Sequence, residues 1–565
     1  MNLSPEKKIA GVLAPLFALR TENDLGIGDL AALREFIDWS VTGGFKLVQL
    51  LPINETGGDN SPYNAISAVA IDPTTIELAP GTPVDLTEAI FNEVVSTVDL
   101  TKLRRGPIKY RQVKKLKRDL LKAAFRAFGD SGSEERKREF HEFVEGQSGW
   151  LRDYTLFRAL MEENGGSEAW DQWPEEHRTV DRARQWLSEL PPDRQETIGE
   201  LRIFFCYIQW IAHQQWRDIK AYAEQRGIAL MGDIPFGVSY YSADVFARPN
   251  EFALDWAGGA PPEPYFKDDE FTQKWGQNWG IPLYNWQSMR GNDFQWWRQR
   301  VGGVKHAFHV FRIDHVLGFY RIYAFPWRPT LNAEFLPLNW DEMKQRTGGR
   351  EPHFAPRDDS NHENAEANRR EGEEYLRVVL QEAGATRVVG EDLGTVPDYV
   401  RPNLQSMGIA GFKIPQWEVR HDQVVPGAQY ERVSVATYAT HDHKPIRALW
   451  EEAFEVQTST SEQAKGDLVK IAQFAGIDGD ISRLDYERDF YRAIMQALFA
   501  SNAWAAVVML TDLMARKDRI NVPGTAADSN WTRRSQRTVA QLRESRKERS
   551  RMRFIRGLLE KTERV

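Results

Sequence analysis

A chain of 565 residues, 41% hydrophobic and 27% charged, has the balance of an ordinary folded protein and is too long for one small core, though a single α/β barrel can be this large. Its net charge of −8 argues against a nucleic-acid or anionic-membrane surface, and its one cysteine, Cys206, excludes an internal disulfide or a thiolate metal cage. Residues 1–8 lack a signal-peptide pattern and no apolar run reaches the roughly 18 residues that span a bilayer, so a cytoplasmic protein is expected, with neither nucleic acid nor membrane as partner.

In chain order, apolar or β-branched runs predict strands at residues 11–19, 45–53, 228–236, 309–315, 387–392, 408–414, 433–442 and 505–513. Helical spacing is found at 29–41, 201–226, 293–305, 373–383 and 486–501, and Gly227 ends the second of these. Cys206 falls in an apolar helical stretch and reads as core, not as a nucleophile. Continuous apolar character suits parallel strands buried on both faces, and eight of them alternating with helices close a (β/α)₈ TIM barrel. The whole chain, 1–565, is then one catalytic barrel carrying helical and loop insertions between its strands.

The largest insertion, 85–200, is expected as a helical subdomain with amphipathic helices at 111–128 and 133–143. Residues 250–290 read as an aromatic active-site loop, where Trp256, Trp275, Trp279 and Trp286 alternate with Pro261, Pro262, Pro264, Gly276 and Gly280. The polar stretch 357–374 reads as an exposed loop. An open doubly wound sheet is the structural rival, because Gly26-Ile27-Gly28-Asp29-Leu30-Ala31 fits a loose dinucleotide pattern. Against it, Asp29 would place a carboxylate where a pyrophosphate should sit; a helix cap is the better reading.

Polar clusters end several predicted strands: Met231-Gly232-Asp233, Arg312-Ile313-Asp314-His315, Gly390-Glu391-Asp392 and Thr440-His441-Asp442-His443. In a parallel barrel, catalytic groups come from these C-terminal ends. Carboxylates gathered on one rim suit glycosyl transfer, which needs a nucleophile and an acid/base about the anomeric carbon. They also suit a divalent-metal site drawing on His306, His309, His315, His441 and His443, but the first strand lacks the His-x-His pair such a barrel hydrolase uses; no metal and no cofactor are expected. The 19 Trp, 29 Phe and 17 Tyr serve the core in the main, those in Gly/Pro-rich loops being candidates for stacking on sugar rings.

These segments, in order with Gly26-Ile27-Gly28-Asp29-Leu30, Ser61-Pro62-Tyr63, Ser242-Ala243-Asp244-Val245, Pro282-Leu283-Tyr284-Asn285-Trp286 and Asn521-Val522-Pro523-Gly524-Thr525, resemble the amylomaltase (disproportionating enzyme) family of 4-α-glucanotransferases, similar to glycoside hydrolase family 77. The resemblance runs from about residue 10 to about residue 535.

It implies a retaining 4-α-glucanotransferase that moves α-1,4-glucan segments between maltooligosaccharides through a covalent glycosyl-enzyme, with glucan donor and sugar acceptor as partners. By resemblance Asp314 is the nucleophile, Glu391 the acid/base and Asp442 the third carboxylate. Tyr63, Asp233, Gln277, Trp279, Arg312 and His441 are substrate-binding. Arg312 is expected to hold Asp314 ionised, and Asp442 to raise the pKa of Glu391. Asp392 reads as an orienting residue, Asp244 as a cap or subdomain bond, and 521–525 as a positioning loop; Trp275 and Trp286 suit the core as well as a ligand. The chain departs from the family at His443-Lys444-Pro445, while Phe319-Tyr320-Arg321-Ile322 is similar to the longer, heteroglycan-acting branch. An α-amylase-like hydrolase and a catalytically silent glucan-binding barrel stay open, and a monomer is compatible with the sequence.

Overall fold

The computed structural model describes residues 3–263, 269–455, 461–523 and 529–565. Pro264, Gly524 and Thr525 of the motifs above lie outside the described residues.

Eight parallel strands form one sheet: β1 (Ile9–Leu13), β2 (Leu47–Gln49), β3 (Ala229–Ile234), β4 (Val310–Ile313), β5 (Arg387–Gly390), β6 (Gly411–Lys413), β7 (Ser434–Ala436) and β8 (Ala505–Met509). Their order is β6-β7-β8-β1-β2-β3-β4-β5. A parallel bridge between Val389 and Ala410, with Gly390 N–H donating to Ala410 O at 2.9 Å, joins the two ends. The sheet is a closed (β/α)₈ barrel, not the doubly wound alternative. Each strand falls within or against one of the eight apolar runs. The first departs most, because Pro15 cannot donate to a ladder and the chain turns instead into a short 3₁₀ helix, Leu16–Ala18.

Period-two alternation divides each strand between two cores. Leu13, Leu47, Ala229, Met231, Val310, Val389, Val435, Val507 and Met509 pack together as the barrel filling. Their neighbours Val12, Val48 and Leu230 face the helices, as Phe311, Ile313 and Val388 do on the next sector. Following the inward column of β3 upward gives Ala229, Met231, then Asp233; β4 gives Val310, Arg312, then Asp314. The register aligns Asp233 with Arg312 and Ile313 with Gly390, so Asp314 and Glu391 leave adjacent strand ends at one level.

The N-terminal glycine motif serves packing. A side chain at Gly28 would meet the carbonyl oxygens of Leu16 and Leu19 at 2.0 and 2.6 Å. Asp29 caps helix Leu30–Thr42 through Ala31 N–H, and its other oxygen pairs with the buried Lys117 at 3.0 Å. Within 85–200 the chain forms helices including Glu88–Val95, Tyr110–Ser131, Glu134–Gly146, Ser148–Glu163 and Val180–Glu189, and Pro192–Gln225 leads into β3.

Two stretches differ from the expected loops. Within 250–290, Phe252–Ala260 and Gln277–Tyr284 pair antiparallel and extend into a four-stranded sheet with Ile322–Phe325 and His353–Ala355. Gly280 reads as a loop signal, yet it and Pro282 lie in an edge strand, which tolerates both. Most of 357–374 belongs to helix His362–Ala383. No apolar stripe marks its start; Arg369 pairs with Glu366 and Glu373 at 2.7 and 2.8 Å, and Arg357 with Glu371 at 2.9 Å. Among the described residues, no helix is long and apolar enough to cross a membrane.

Candidate active site

At the C-terminal mouth of the barrel, Arg312 organises two carboxylates. One arm of its guanidinium donates to Asp233 Oδ2 at 2.5 Å and the other to Asp314 Oδ1 at 2.6 Å. Arg312 and Asp233 are enclosed, whereas the Asp314 side chain is 29% exposed. The buried fork therefore presents one carboxylate to the cleft and spends the other as its counter-charge. Burial pushes the Asp233 carboxyl up, with the Arg312 charge opposing. Burial and the Asp233 charge push the Tyr63 phenol well above its ordinary range, so its hydroxyl is a donor, made to Asp233 Oδ2 at 2.7 Å.

Glu391 follows β5. Its Oε2 accepts from His315 N–H at 2.8 Å and its Oε1 from Leu393 N–H at 3.2 Å. Burial is the main force raising its carboxyl to about 8, and the Asp314 and Asp392 charges add to it, against Arg312 and the His315 N–H. The anion expected to raise it was Asp442; desolvation and Asp314 do so instead. At neutral pH Glu391 keeps its proton beside a carboxylate held by Arg312. This is the division of labour an acid and a nucleophile need.

His441 and Asp442 arrive on the turn after β7. The Tyr63 ring stacks on His441 (centroids 4.7 Å apart, 16° between planes), and its hydroxyl lies 3.2 Å from His441 Nδ1. His441 Nε2 meets Asp442 Oδ2 at 3.1 Å and Asn521 donates to Asp442 Oδ1 at 2.7 Å. Burial works against ionisation of Asp442, but His441, Asn521 and His443 outweigh it and hold the carboxyl well below its usual range. Its side chain is 40% exposed, so a permanently charged acceptor faces the cleft.

The sites read from the sequence fall into two groups. Tyr63, Asp233, Arg312, Asp314, Glu391, His441 and Asp442 meet at the mouth through the contacts above. Trp279 and Gln277 come from the antiparallel sheet: the exposed Trp279 ring stands edge-on to His315 at 4.8 Å and its Nε1 donates to Gln277 Oε1 at 3.2 Å. His315 itself adopts φ 48°, a left-handed conformation that a non-glycine residue rarely takes.

Neighbouring candidates are structural. Asp392 accepts from Arg401 at 2.9 Å and Phe412 N–H at 2.6 Å, stitching β5 to β6. Asp244 accepts from Ala68 N–H and Trp296 Nε1, while Ser242 caps the helix Ala243–Ala247. Trp275 lies in a small core with Trp327 and Phe335, and Trp286 stacks on Tyr375 at 4.0 Å. Burial pushes the half-buried Cys206 thiol up to about 11, which leaves it a poor nucleophile. Among the described residues, no group of three or more His, Cys, Asp or Glu is arranged to hold a metal.

Sequence reasoning missed three supports from the segment after β8. Arg519 donates to the main-chain oxygens of Asp442 and Asn521, both at 2.7 Å. Trp531 lies against both Tyr63 and His441, with centroids 5.9 and 5.8 Å away. Asn530 donates to Val522 O and accepts from Val522 N–H. No local pattern marks these residues: Arg519 reaches Asp442 and Trp531 reaches Tyr63 and His441 across tens to hundreds of positions, and the Asn530 bonds to Val522 span eight positions.

Known proteins resemble this chain over most of its length. A family model described as 4-alpha-glucanotransferase matches residues 14–539. A 4-alpha-glucanotransferase of Chlamydia pneumoniae is 30% identical over 549 residues, covering 94% of this chain and 92% of the relative. One from Thermus thermophilus is 29% identical over 520 residues, covering 90% and 91%. Among solved structures, amylomaltase from Streptococcus agalactiae in complex with acarbose aligns with a TM-score of 0.73 at 20% identity, over 99% of this chain and 100% of that one. Amylomaltase from Corynebacterium glutamicum aligns at 0.77 and 20%, over 98% and 75%. At that identity the structural likeness speaks for the fold.

Proposed function

The chain belongs to the 4-alpha-glucanotransferase family and transfers α-1,4-glucan chains between oligosaccharides; we propose that it does so by double displacement, with Asp314 as nucleophile and Glu391 as acid/base. Asp314 attacks the anomeric carbon while Glu391 gives its proton to the departing glycosidic oxygen. The glucan is then joined to Asp314 by an ester, and Glu391 is a carboxylate. The acceptor's 4-hydroxyl loses its proton to Glu391 and attacks the same carbon, releasing Asp314. Two inversions retain the α-configuration, and the two carboxyl groups should lie about 5–5.5 Å apart.

The observation that carries this reading is the pairing of a carboxyl raised to about 8, Glu391, with one forked by Arg312, Asp314. Asp442 would hold ring hydroxyls, its charge strengthening the grip as the oxocarbenium-like state develops. Tyr63 would offer its ring to the donor glucose, with Asp233 and His441 beside it. Trp279 and Gln277, on the sheet that overhangs the mouth, would cover the acceptor and keep water out, favouring transfer over hydrolysis. Maltooligosaccharides as donors, and glucose or shorter oligomers as acceptors, are the substrates we propose.

The test is incubation with maltotriose and resolution of the products. A ladder of longer oligomers together with glucose is expected; glucose and maltose alone would mean a hydrolase. Asp314→Asn should abolish transfer, and full activity in that variant would overturn the assignment.

A further inference from the structure

Two exposed tryptophans stand at the rim, each packed against a histidine that directly follows one of the proposed carboxylates. Trp279 meets His315, which follows Asp314; Trp417, 50% exposed after β6, meets His443, which follows Asp442 (centroids 4.8 Å apart). The first pair belongs to the reading above. The second falls in His443-Lys444-Pro445, and nothing so far uses it.

Lys444 and Pro445 have structural explanations. Lys444 pairs with Glu452 at 2.8 Å, and Pro445 opens the helix Ile446–Trp450, whose Ile446 N–H donates to Asp512 at 2.7 Å. His443 is held just as firmly, but only on one side. Its own N–H donates to Thr440 O at 3.1 Å, and its Nδ1 lies 3.0 Å from Thr440 N and 2.8 Å from Thr440 Oγ1. A main-chain N–H can only donate, so Nδ1 is an acceptor here. Burial pushes the imidazole down to about 4, which leaves the ring neutral at pH 7. A neutral ring whose Nδ1 accepts carries its proton on Nε2. That Nε2 has no hydrogen-bond partner among the described residues and is not enclosed. With Trp417 against the ring and the Thr440 turn locking Nδ1, the Nε2–H direction is fixed before any ligand arrives.

We propose that His443 is a sugar-binding residue, its Nε2–H donating to a hydroxyl of the glucan unit next to the one held at Asp442. An uncharged, pre-aimed donor suits a neutral hydroxyl, and it adds a specificity contact beside Asp442. The proposal rests on the transferase reading.

The experiment measures glucose release from maltotriose by the full-length enzyme and three variants. His443→Asn keeps an acceptor at the Nδ1 position for Thr440 but cannot reach the Nε2 position. His443→Gln places an amide N–H near Nε2 and gives up the Thr440 bond. His443→Phe removes both. Loss of one hydrogen bond predicts a rise in KM of about tenfold for Phe and Asn, with kcat changed much less, and a largely restored KM for Gln. If Phe does not fold, as judged by its melting temperature, the contrast between Asn and Gln decides. Asn resembling the parent while Gln fails would assign the ring to the turn alone and overturn the proposal, as would an unchanged KM in all three. An unmodified enzyme that forms no longer oligomers from maltotriose would overturn the transferase reading itself, and this proposal with it.

Discussion

The main-chain N–H of His315 donates to Oε2 of Glu391 at 2.8 Å, tying the proposed acid/base to the residue that follows the proposed nucleophile. The bond fixes the Glu391 carboxyl beside Asp314 and favours its ionised form, yet burial prevails and the carboxyl stays protonated up to about pH 8. Proton donation therefore falls as pH rises through about 8, giving kcat/KM an alkaline limb there. Glu391→Gln should remove that limb and nearly all transfer. A pH–rate profile of the parent with no descent between pH 7 and 9 would contradict the assignment.

The same carboxyl has a cost in stability. Its folded pKa lies above the ordinary 4.5, so between about 4.5 and 8 the native state binds more protons than the unfolded one, and its contribution to stability declines as pH rises. Glu391→Gln should then melt a few degrees above the parent at pH 8 and show little difference at pH 4.5. Equal melting temperatures at pH 8 would mean that burial does not burden the carboxylate.

Arg312 joins Asp233 to Asp314 through separate arms, a geometry a point-charged ammonium cannot reproduce. Arg312→Lys should reduce kcat by about 10²–10³-fold while the protein stays folded. Arg312→Met leaves an enclosed Asp233 without its counter-charge and should destabilise by about 3–5 kcal/mol in chemical denaturation. A lysine variant within tenfold of the parent would show that charge alone suffices.

Legibility in the sequence tracked physical distance. Fully buried parallel strands are continuous apolar runs, so all eight were visible, though overlong. The run read at 433–442 extends past the last paired residue, Ala436, where Tyr438 and Ala439 still look apolar, but the chain leaves the sheet after Thr437 to carry His441 and Asp442 to the rim. Helix His362–Ala383 was missed over its first turns because ion pairs, not an apolar face, hold that end. The acids themselves came from family likeness, strand-end placement supplying only the rim. The Asp233 end of the Arg312 fork, the desolvation of Glu391 and the clamp by Arg519 depend on which strand ends become neighbours on closure, and no local spacing encodes that.

The histidines considered for a metal, at the rim and at the opposite end of the barrel, already have partners that compete with one. His441 uses Nδ1 toward Tyr63 and Nε2 toward Asp442, His443 uses Nδ1 toward Thr440, and His309 Nδ1 accepts from Leu230 N–H. Dialysis against a chelator should leave transfer from maltotriose unchanged. A loss that an added divalent ion restores would revive a metal role.

Asn521 supplies a carboxamide bond to Asp442, and Arg519 anchors it by gripping both residues' main-chain oxygens. Asp442 is held ionised against the opposing pull of burial, so its stabilising contribution is present above the ordinary carboxylate pKa and is lost as pH falls through the depressed folded value. A hydrogen bond to a charged group contributes about 1.5–3 kcal/mol, equivalent to a shift of about one to two pH units. Asn521→Ala should therefore raise the Asp442 carboxyl by about one unit, leave it ionised at neutral pH, and raise KM for maltotriose there by about tenfold, since a carboxylate without its carboxamide partner loses its aim at the sugar hydroxyls. Arg519→Met, which leaves the carboxamide in place but loosens its anchor, should raise KM by less. If neither variant changes KM at pH 7, Asp442 does not hold the sugar, and the turn after β7 serves only to shape the rim.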